Sequence, residues 1–370
     1  KIIVYSSLKR EVFYIMKMMK ILVIQQKMIG DVLASSIICN NLKLIYPNSQ
    51  VDYLVNPFTV PVLENNPNID NLILFEDRYR KSKLALFKFL IAIRKRKYDL
   101  VIDAYGKLES NLVVAFSGAK TRIGFYKPYT NYLYSITVKE IINPITEAGT
   151  ALENRLNLLM PLAPNAKLKN KPSIFLTEKE IENGKAILVK NKIDFSKKLY
   201  MISVLGSGKN KTYPFLYMAK ILDRIVEKNQ AVLLFNYMPS QEKEAKAIFD
   251  LCQPKTQENI KINVVSGSIR EFLSITYHCD ALIGNEGGAV NMAKAINKPT
   301  FTIFSTWIIK EAWNSFENEK SNVSVHLKDF RPELYGTKSA KEMKNEALNL
   351  YESFAPELLF PKLESFLENN

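Results

Sequence analysis

The chain has 370 residues, 47% of them hydrophobic and 24% charged, the usage of a globular protein with two domains and two buried cores; disordered and low-complexity classes are excluded. Its longest uncharged run, the thirteen residues 229–241, falls well short of the ~20 apolar residues that a membrane-spanning helix needs. Of the net charge of +14, residues 1–170 carry +11, with 24 Lys and Arg against 13 Asp and Glu, so that half is expected to meet nucleic acid, an anionic membrane surface or a phosphorylated substrate, unless the charge serves solubility alone.

From Lys20 onward, short β-branched apolar runs alternate with segments of helical period, the pattern of a parallel sheet covered by helices. Strands are predicted at residues 21–25, 50–55, 71–75, 100–102 and 122–124, with helices at 32–46, 83–97 and 110–116. A helical segment around 152–159 leads into a polar, Pro- and Lys-bearing linker at 161–172. The alternation then restarts, with strands at 199–205, 231–235, 262–265, 281–283 and 300–304 and helices at 215–228, 241–251, 270–277 and 289–296. The expected architecture is α/β: two tandem Rossmann-like, doubly wound domains facing a cleft. Residues 1–19 form an extension, 20–165 the N-terminal domain and 172–335 the C-terminal domain. Residues 336–370 are helices expected to pack back on the N-terminal domain.

Such sheets bind ligands at the carboxyl ends of their strands, and three strand-to-helix turns carry chemistry there. The first is QQKMIGDV, residues 25–32, which places Asp31 at a predicted helix N-cap. There it either caps backbone amides or faces the cleft as a catalytic carboxylate. No GxGxxG follows the strand, which removes the main support for a dinucleotide oxidoreductase. The second is LGSGKNKTYP, residues 205–214. Gly206, Ser207 and Gly208 let amides approach an oxyanion and Lys211 can neutralise a diphosphate, unless this is only a turn with solvated lysines. The third is IGNEGGAVN, residues 283–291, where Gly287 and Gly288 bring bare N–H groups to a helix start and Glu286 is placed to orient a lysine or bind a hydroxyl.

The only histidines are His278 and His326, and Cys39, Cys252 and Cys279 form no CxxC pair. A histidine dyad, a zinc site and a disulfide framework are therefore excluded, and a reducing, cytoplasmic location is expected, with no secretory signal. No DxD triplet occurs to hold a metal on a diphosphate. The basic run from Arg78 to Lys97 reads either as the solvated side of a packed helix or as a capture surface. Its Arg78, Arg80 and Lys81 end follows a strand end on the cleft side, and Arg122 can pair bidentately with a carboxylate or phosphate. No nucleic-acid recognition module is visible.

Four segments in order resemble one family. The run from ILVIQQKMIGDV to NLILF, the segment YDLVIDAYGKLESNLVVAFSGAKTRIGF, VLGSGKNKTYP and ALIGNEGGAVNMAKAINKPTFTIF are similar to motifs of the family 9 glycosyltransferases, the bacterial lipopolysaccharide heptosyltransferases. The resemblance spans residues 20–304. It implies the GT-B architecture and an inverting, metal-independent glycosyltransferase without a cofactor. The donor it implies is a nucleotide-sugar, ADP-heptose, and the acceptor an acidic, phosphorylated lipid-linked saccharide reached at the anionic inner-membrane surface. Carried over by position, Asp31 matches the family's catalytic base, Lys211 its diphosphate lysine, Glu242 a donor-side glutamate, and Glu286, Gly287 and Gly288 its phosphate turn. The chain departs from the family at Glu286 for aspartate, Gly287 for Ser/Thr, Asn291 for histidine and Tyr213 for tryptophan. The alternatives are a family 9 enzyme with another donor sugar or a protein acceptor, and a non-catalytic sugar-nucleotide or membrane-surface binding protein.

Overall fold

Parallel strands need a crossover after each strand, and the chain supplies a helix or a long loop every time. The structure is a computed structural model that describes residues 18–336 and 338–370; the expected extension over residues 1–19 lies outside them except for its last two. The first half runs β1 (Lys20–Ile24), α1 (Ile29–Ile45), β2 (Gln50–Val55), β3 (Asn71–Leu74), α2 (Arg78–Lys81), α3 (Lys83–Lys95), β4 (Leu100–Asp103), α4 (Leu108–Ser117), β5 (Thr121–Phe125), β6 (Ile136–Val138) and α5 (Thr150–Asn157). Residues 158–177 cross without regular structure. The second half runs α6 (Glu178–Lys190), β7 (Leu199–Ser203), α7 (Phe215–Asn229), β8 (Val232–Asn236), α8 (Glu242–Leu251), α9 (Pro254–Asn259), α10 (Ile269–Tyr277), β9 (Ala281–Asn285), α11 (Gly288–Ala295), β10 (Thr300–Ile303), α12 (Lys310–Trp313) and β11 (Asn322–Val325). It closes with α13 (Ala340–Asn345), α14 (Ala347–Glu352) and α15 (Phe360–Asn369). Among the described residues no helix is long and apolar enough to cross a membrane.

The first sheet has strand order β3-β2-β1-β4-β5-β6 and the second β11-β10-β9-β7-β8, every pair parallel. Strands buried on both faces read as continuous apolar runs, and alternate residues of β1 show why. Ile21 and Val23 enter the cluster that holds Val32 and Leu33 of α1. Leu22 and Ile24 enter another, with Phe89 and Ile93 of α3 and Val113 of α4. The α1-side cluster does not stop at the domain boundary. It continues through Val290 and Ala293 of α11 to Met201 and Leu282 of the second sheet.

Three expectations are corrected. The strand expected at 262–265 does not form: one parallel bridge joins Ile260 to Leu233 and the chain then turns at residues 262–263. The fifth strand is instead β11, so the second sheet has a different order from the first. α1 starts at Ile29 with Met28 as its N-cap, so Asp31 is not the cap but lies in the first turn. Ile29 packs against the core and draws that turn into the helix. Finally, the tail packs on the second domain, not the first, because its apolar face fits there. Phe354, Leu363 and Phe366 share a core with Tyr213, Ile221 and Phe301, and Glu364 bridges Arg224 and Lys228 of α7.

Candidate active site

In each sheet the strand order reverses once, between β1 and β4 and between β7 and β9, and loops leaving such a switch point form the ligand crevice. The turns singled out in the sequence leave three of these four strands. The two crevices face one another: a Cβ built on Gly30 of α1 would lie 3.2 Å from Asn291 Nδ2 of α11.

On the first side, Asp31 is 6% exposed. Arg155 Nη2 of α5 donates to its Oδ1 at 3.3 Å, and Lys27 Nζ donates to the same oxygen at 3.2 Å. Both cations thus fall on Oδ1 and leave Oδ2 outside these contacts. Arg155 is itself fixed by Ala151 O at 2.9 Å and Ser35 Oγ at 3.3 Å. Burial pulls its guanidinium below the usual range, and the Asp31 charge opposes that. Gln25 Nε2, just after β1, donates to Ser35 Oγ of α1 at 3.3 Å and to Ala104 O of the loop after β4 at 3.1 Å. The β4 loop is shaped by Asp103, whose carboxylate accepts from the N–H groups of Tyr105 and Gly106 at 2.9 Å and from Tyr134 Oη at 2.8 Å. Burial pushes that carboxyl up despite these bonds.

On the second side, the loop after β7 folds over itself. Gly206 N donates to Thr212 Oγ1 at 3.1 Å, Thr212 Oγ1 donates to Gly208 O at 3.0 Å, and Gln241 Nε2 donates to Gly206 O at 3.0 Å. Only glycine fits at 206, since a Cβ there would meet Lys211 O at 2.1 Å. Asn285, the last residue of β9, joins the loop to its neighbour strand by donating to Ser203 O and Val204 O and accepting from Tyr213 N at 2.7 Å. Tyr213, fully buried, donates to Phe354 O at 2.6 Å and so ties the loop to the tail.

This framework brings Lys211 Nζ to 3.1 Å from Glu286 Oε1, one of the two arrangements expected of Glu286. The ammonium also lies 5.5 Å from the Trp307 ring centroid, and Lys344 of α13 lies 5.2 Å from the same indole. Gly287 has φ +151°, a conformation that favours glycine, and a Cβ on Gly287 or Gly288 would meet nothing within 4 Å. The start of α11 therefore presents uncovered backbone. Ser207 and Gly208 are exposed. A cavity of about 300 Å³ lies between this loop, the start of α8 and α14, lined by Gly206, Lys209, Gln241, Glu244, Leu348 and Tyr351.

The structure does not unite every expected residue. Glu242 opens α8 but is exposed, and Gln241 and Glu244 form the cavity wall in its place. Arg122 sits on the second residue of β5, toward the amino end of the strand and away from the crevice. Its guanidinium is spent on Leu133 O at 2.8 Å and Ala119 O at 2.6 Å, so it is a structural residue rather than a ligand for an acidic acceptor. Arg80 is held by Asp77 at 3.0 Å, Glu109 at 3.4 Å and Asn56 Oδ1 at 3.2 Å. Arg78 and Lys81 remain exposed on the cleft-side rim, Arg78 beside Glu76 at 2.9 Å. Sequence reasoning missed Arg155, Gln241 and Asn285. A lone arginine in the apolar-patterned segment LENRLNLL was the one available signal for the first.

Comparison with known proteins identifies the family and the fold. A family profile described as Glycosyltransferase family 9 (heptosyltransferase) matches residues 86–341. The chain is similar to lipopolysaccharide heptosyltransferase 1 of Campylobacter coli, 25% identical over 299 residues, which cover 77% of this chain and 84% of the relative. It is also similar to lipopolysaccharide heptosyltransferase 2 of Escherichia coli K12, 20% identical over 77% of this chain and 82% of that one. Among solved structures, a family 9 glycosyl transferase from Veillonella parvula superposes with a TM-score of 0.75 at 15% identity, covering 95% of this chain and 98% of that one. The Escherichia coli heptosyltransferase WaaC with ADP gives a TM-score of 0.63 at 14% identity, covering 83% and 93%.

Proposed function

The chain belongs to glycosyltransferase family 9, the heptosyltransferases of lipopolysaccharide core biosynthesis, and on that premise we propose an inverting transfer of heptose from ADP-heptose to a phosphorylated core saccharide, without metal or cofactor. The observation that carries this reading is the placement of Asp31 on one crevice and of Lys211 and Gly287 on the facing one, with α1 and α11 in contact between them. Asp31 Oδ2 takes the proton of an acceptor hydroxyl while Arg155 and Lys27 hold Oδ1. The hydroxyl oxygen bonds to the anomeric carbon from the face opposite the leaving group. The bond from that carbon to the diphosphate breaks, and the electron pair leaves with the nucleoside diphosphate.

The departing charge is met by groups set in place beforehand: the Lys211 ammonium, the amides of the Gly206–Gly208 loop and the bare start of α11. Glu286 holds Lys211 in position from the side. The acceptor meets the rim at Arg78 and Lys81, and its lipid anchor places the reaction at the cytoplasmic face of the inner membrane, a peripheral contact.

The test is incubation of the purified chain with ADP-heptose and a deacylated, phosphorylated core oligosaccharide. ADP release that depends on acceptor, with a product of inverted anomeric configuration, is the expected result. Release of the corresponding nucleoside diphosphate from another nucleotide-sugar, with no ADP release from ADP-heptose, would overturn the donor assignment.

A further inference from the structure

We propose that the outer face of α3 is the surface by which this protein docks on an anionic lipid bilayer, an inference that rests on the lipid-linked acceptor of the preceding reading. α3 has two apolar sides. One is core: Phe89, Leu90 and Ile93 are buried. The other should be polar on a helix that only covers a sheet, yet Leu84 is 64% exposed and Phe87 52% exposed. These two share a face with Lys88, Ile91 and Lys95 at the i, i+3, i+4, i+7 and i+11 spacing of one helical side. Phe87 meets Phe116 of α4 edge to face at 6.5 Å, and α4 opens with Leu108, 71% exposed. The apolar stripe thus extends over both helices.

Charge identifies the occupant. Residues 78–98 contain nine Lys or Arg and no Asp or Glu; Arg78, Arg80 and Arg96 are paired with Glu76, Asp77 and Asp52 outside that run, which leaves six cations in excess. An apolar protein partner has no use for that excess, whereas phosphate headgroups around a shallowly inserted Leu and Phe do. Geometry supports the same occupant. Helices of this sheet start at the carboxyl ends of its strands, so Leu84 and Leu108 lie at the crevice end of α3 and α4. A protein resting on this face holds its crevice beside the membrane, where a lipid-anchored saccharide can enter without leaving the bilayer. Long stems of Lys88 and Lys95 can lie along the apolar stripe and carry their ammonium groups to the phosphates.

Sedimentation of the full chain with vesicles tests this, comparing phosphatidylcholine alone with phosphatidylcholine containing phosphatidylglycerol. The wild type should sediment with the anionic vesicles, more weakly as salt rises. Leu84→Ser with Phe87→Ser should lower that partition about tenfold or more, and Lys88→Glu with Lys95→Glu should remove the preference for anionic lipid. All four side chains are exposed, so the variants should stay folded, the Phe87 variant giving up only its edge contact with Phe116, and turn over a soluble, deacylated acceptor normally. A wild type that stays in the supernatant, or a Leu84/Phe87 variant that sediments as before, would overturn the proposal. So would concentration-dependent self-association abolished by the same pair, which would assign the face to a second copy of the chain. Vesicle binding with no transfer to the soluble acceptor would leave this surface standing and count against the glycosyl-transfer reading instead.

Discussion

Asp31→Asn separates chemistry from support. The substitution keeps size and one acceptor oxygen but removes the proton acceptor and the charge that faces Arg155. General-base loss lowers turnover by ~10²–10⁴, equivalent to about 2.7–5.4 kcal/mol of transition-state stabilisation. A stability cost comes with it. The Asp31 and Arg155 side chains are 8% and 13% exposed, so the pair is not screened as a surface pair is. Breaking such a pair costs ~3–5 kcal/mol when nothing replaces it. Here Arg155 keeps Ala151 O and Ser35 Oγ, and asparagine still accepts, so about 1–3 kcal/mol is expected, a fall of several degrees in Tm for a chain of this size. The assay is acceptor-dependent ADP release at saturating donor and acceptor, with thermal melting of both proteins measured alongside. Turnover within a factor of two of wild type, at any melting temperature, would refute the base assignment. Unchanged melting would refute the buried ion pair.

Lys211→Ala should lower turnover more than donor affinity, because the diphosphate charge grows as the bond breaks; titration of ADP-heptose binding beside saturated rates separates the two. Replacing Arg78 and Lys81 by serine should raise the apparent KM for a phosphorylated acceptor and flatten its salt dependence while donor binding stays the same, measured across a salt series. Treatment with EDTA should leave the rate unchanged, checked on the same ADP-release assay. Burial lowers the Lys294 ammonium to about 8 from its usual 10.5, so the folded state releases a proton that the unfolded chain still holds, and stability rises with pH between about 8 and 10.5. Lys294→Met should remove that rise and melt higher than wild type at neutral pH, as calorimetry across the range will show.

Much of the architecture was legible because parallel strands buried on both faces leave long β-branched runs, as at residues 21–24 and 281–283. The failures are local and physical. β6 and β11 are edge strands, and β6 is only partly buried, so neither leaves the long apolar run of a central strand, while residues 262–265 carry strand-like letters but turn away after a single bridge. The tail's side chains showed an apolar face but not which domain it would cover. Within the site, Asp31, Lys211, Glu286 and the glycine turns are short-range signals, each on one strand-to-helix connection. Arg155 lies 124 positions from Asp31, Asn285 acts by reaching a neighbouring strand, and Arg122 reads as a ligand until its two carbonyl partners are seen. Contacts of that kind follow from the packing of elements, which spacing along the chain does not encode.

The apolar cluster that passes from the first sheet through α1 and α11 into the second gives the two halves a common thermal fate. Groups packed in one continuous interior are lost together, so neither half can melt far ahead of the other. A nucleotide seated only on the second domain therefore protects the first as well, and its binding free energy is spread over the whole chain rather than over the half it touches. Opening and closing of the crevice is constrained in the same way. A movement that parted α1 from α11, which are in contact, would expose apolar surface of the shared cluster to water, so a shear that keeps those contacts costs less than a hinge that breaks them.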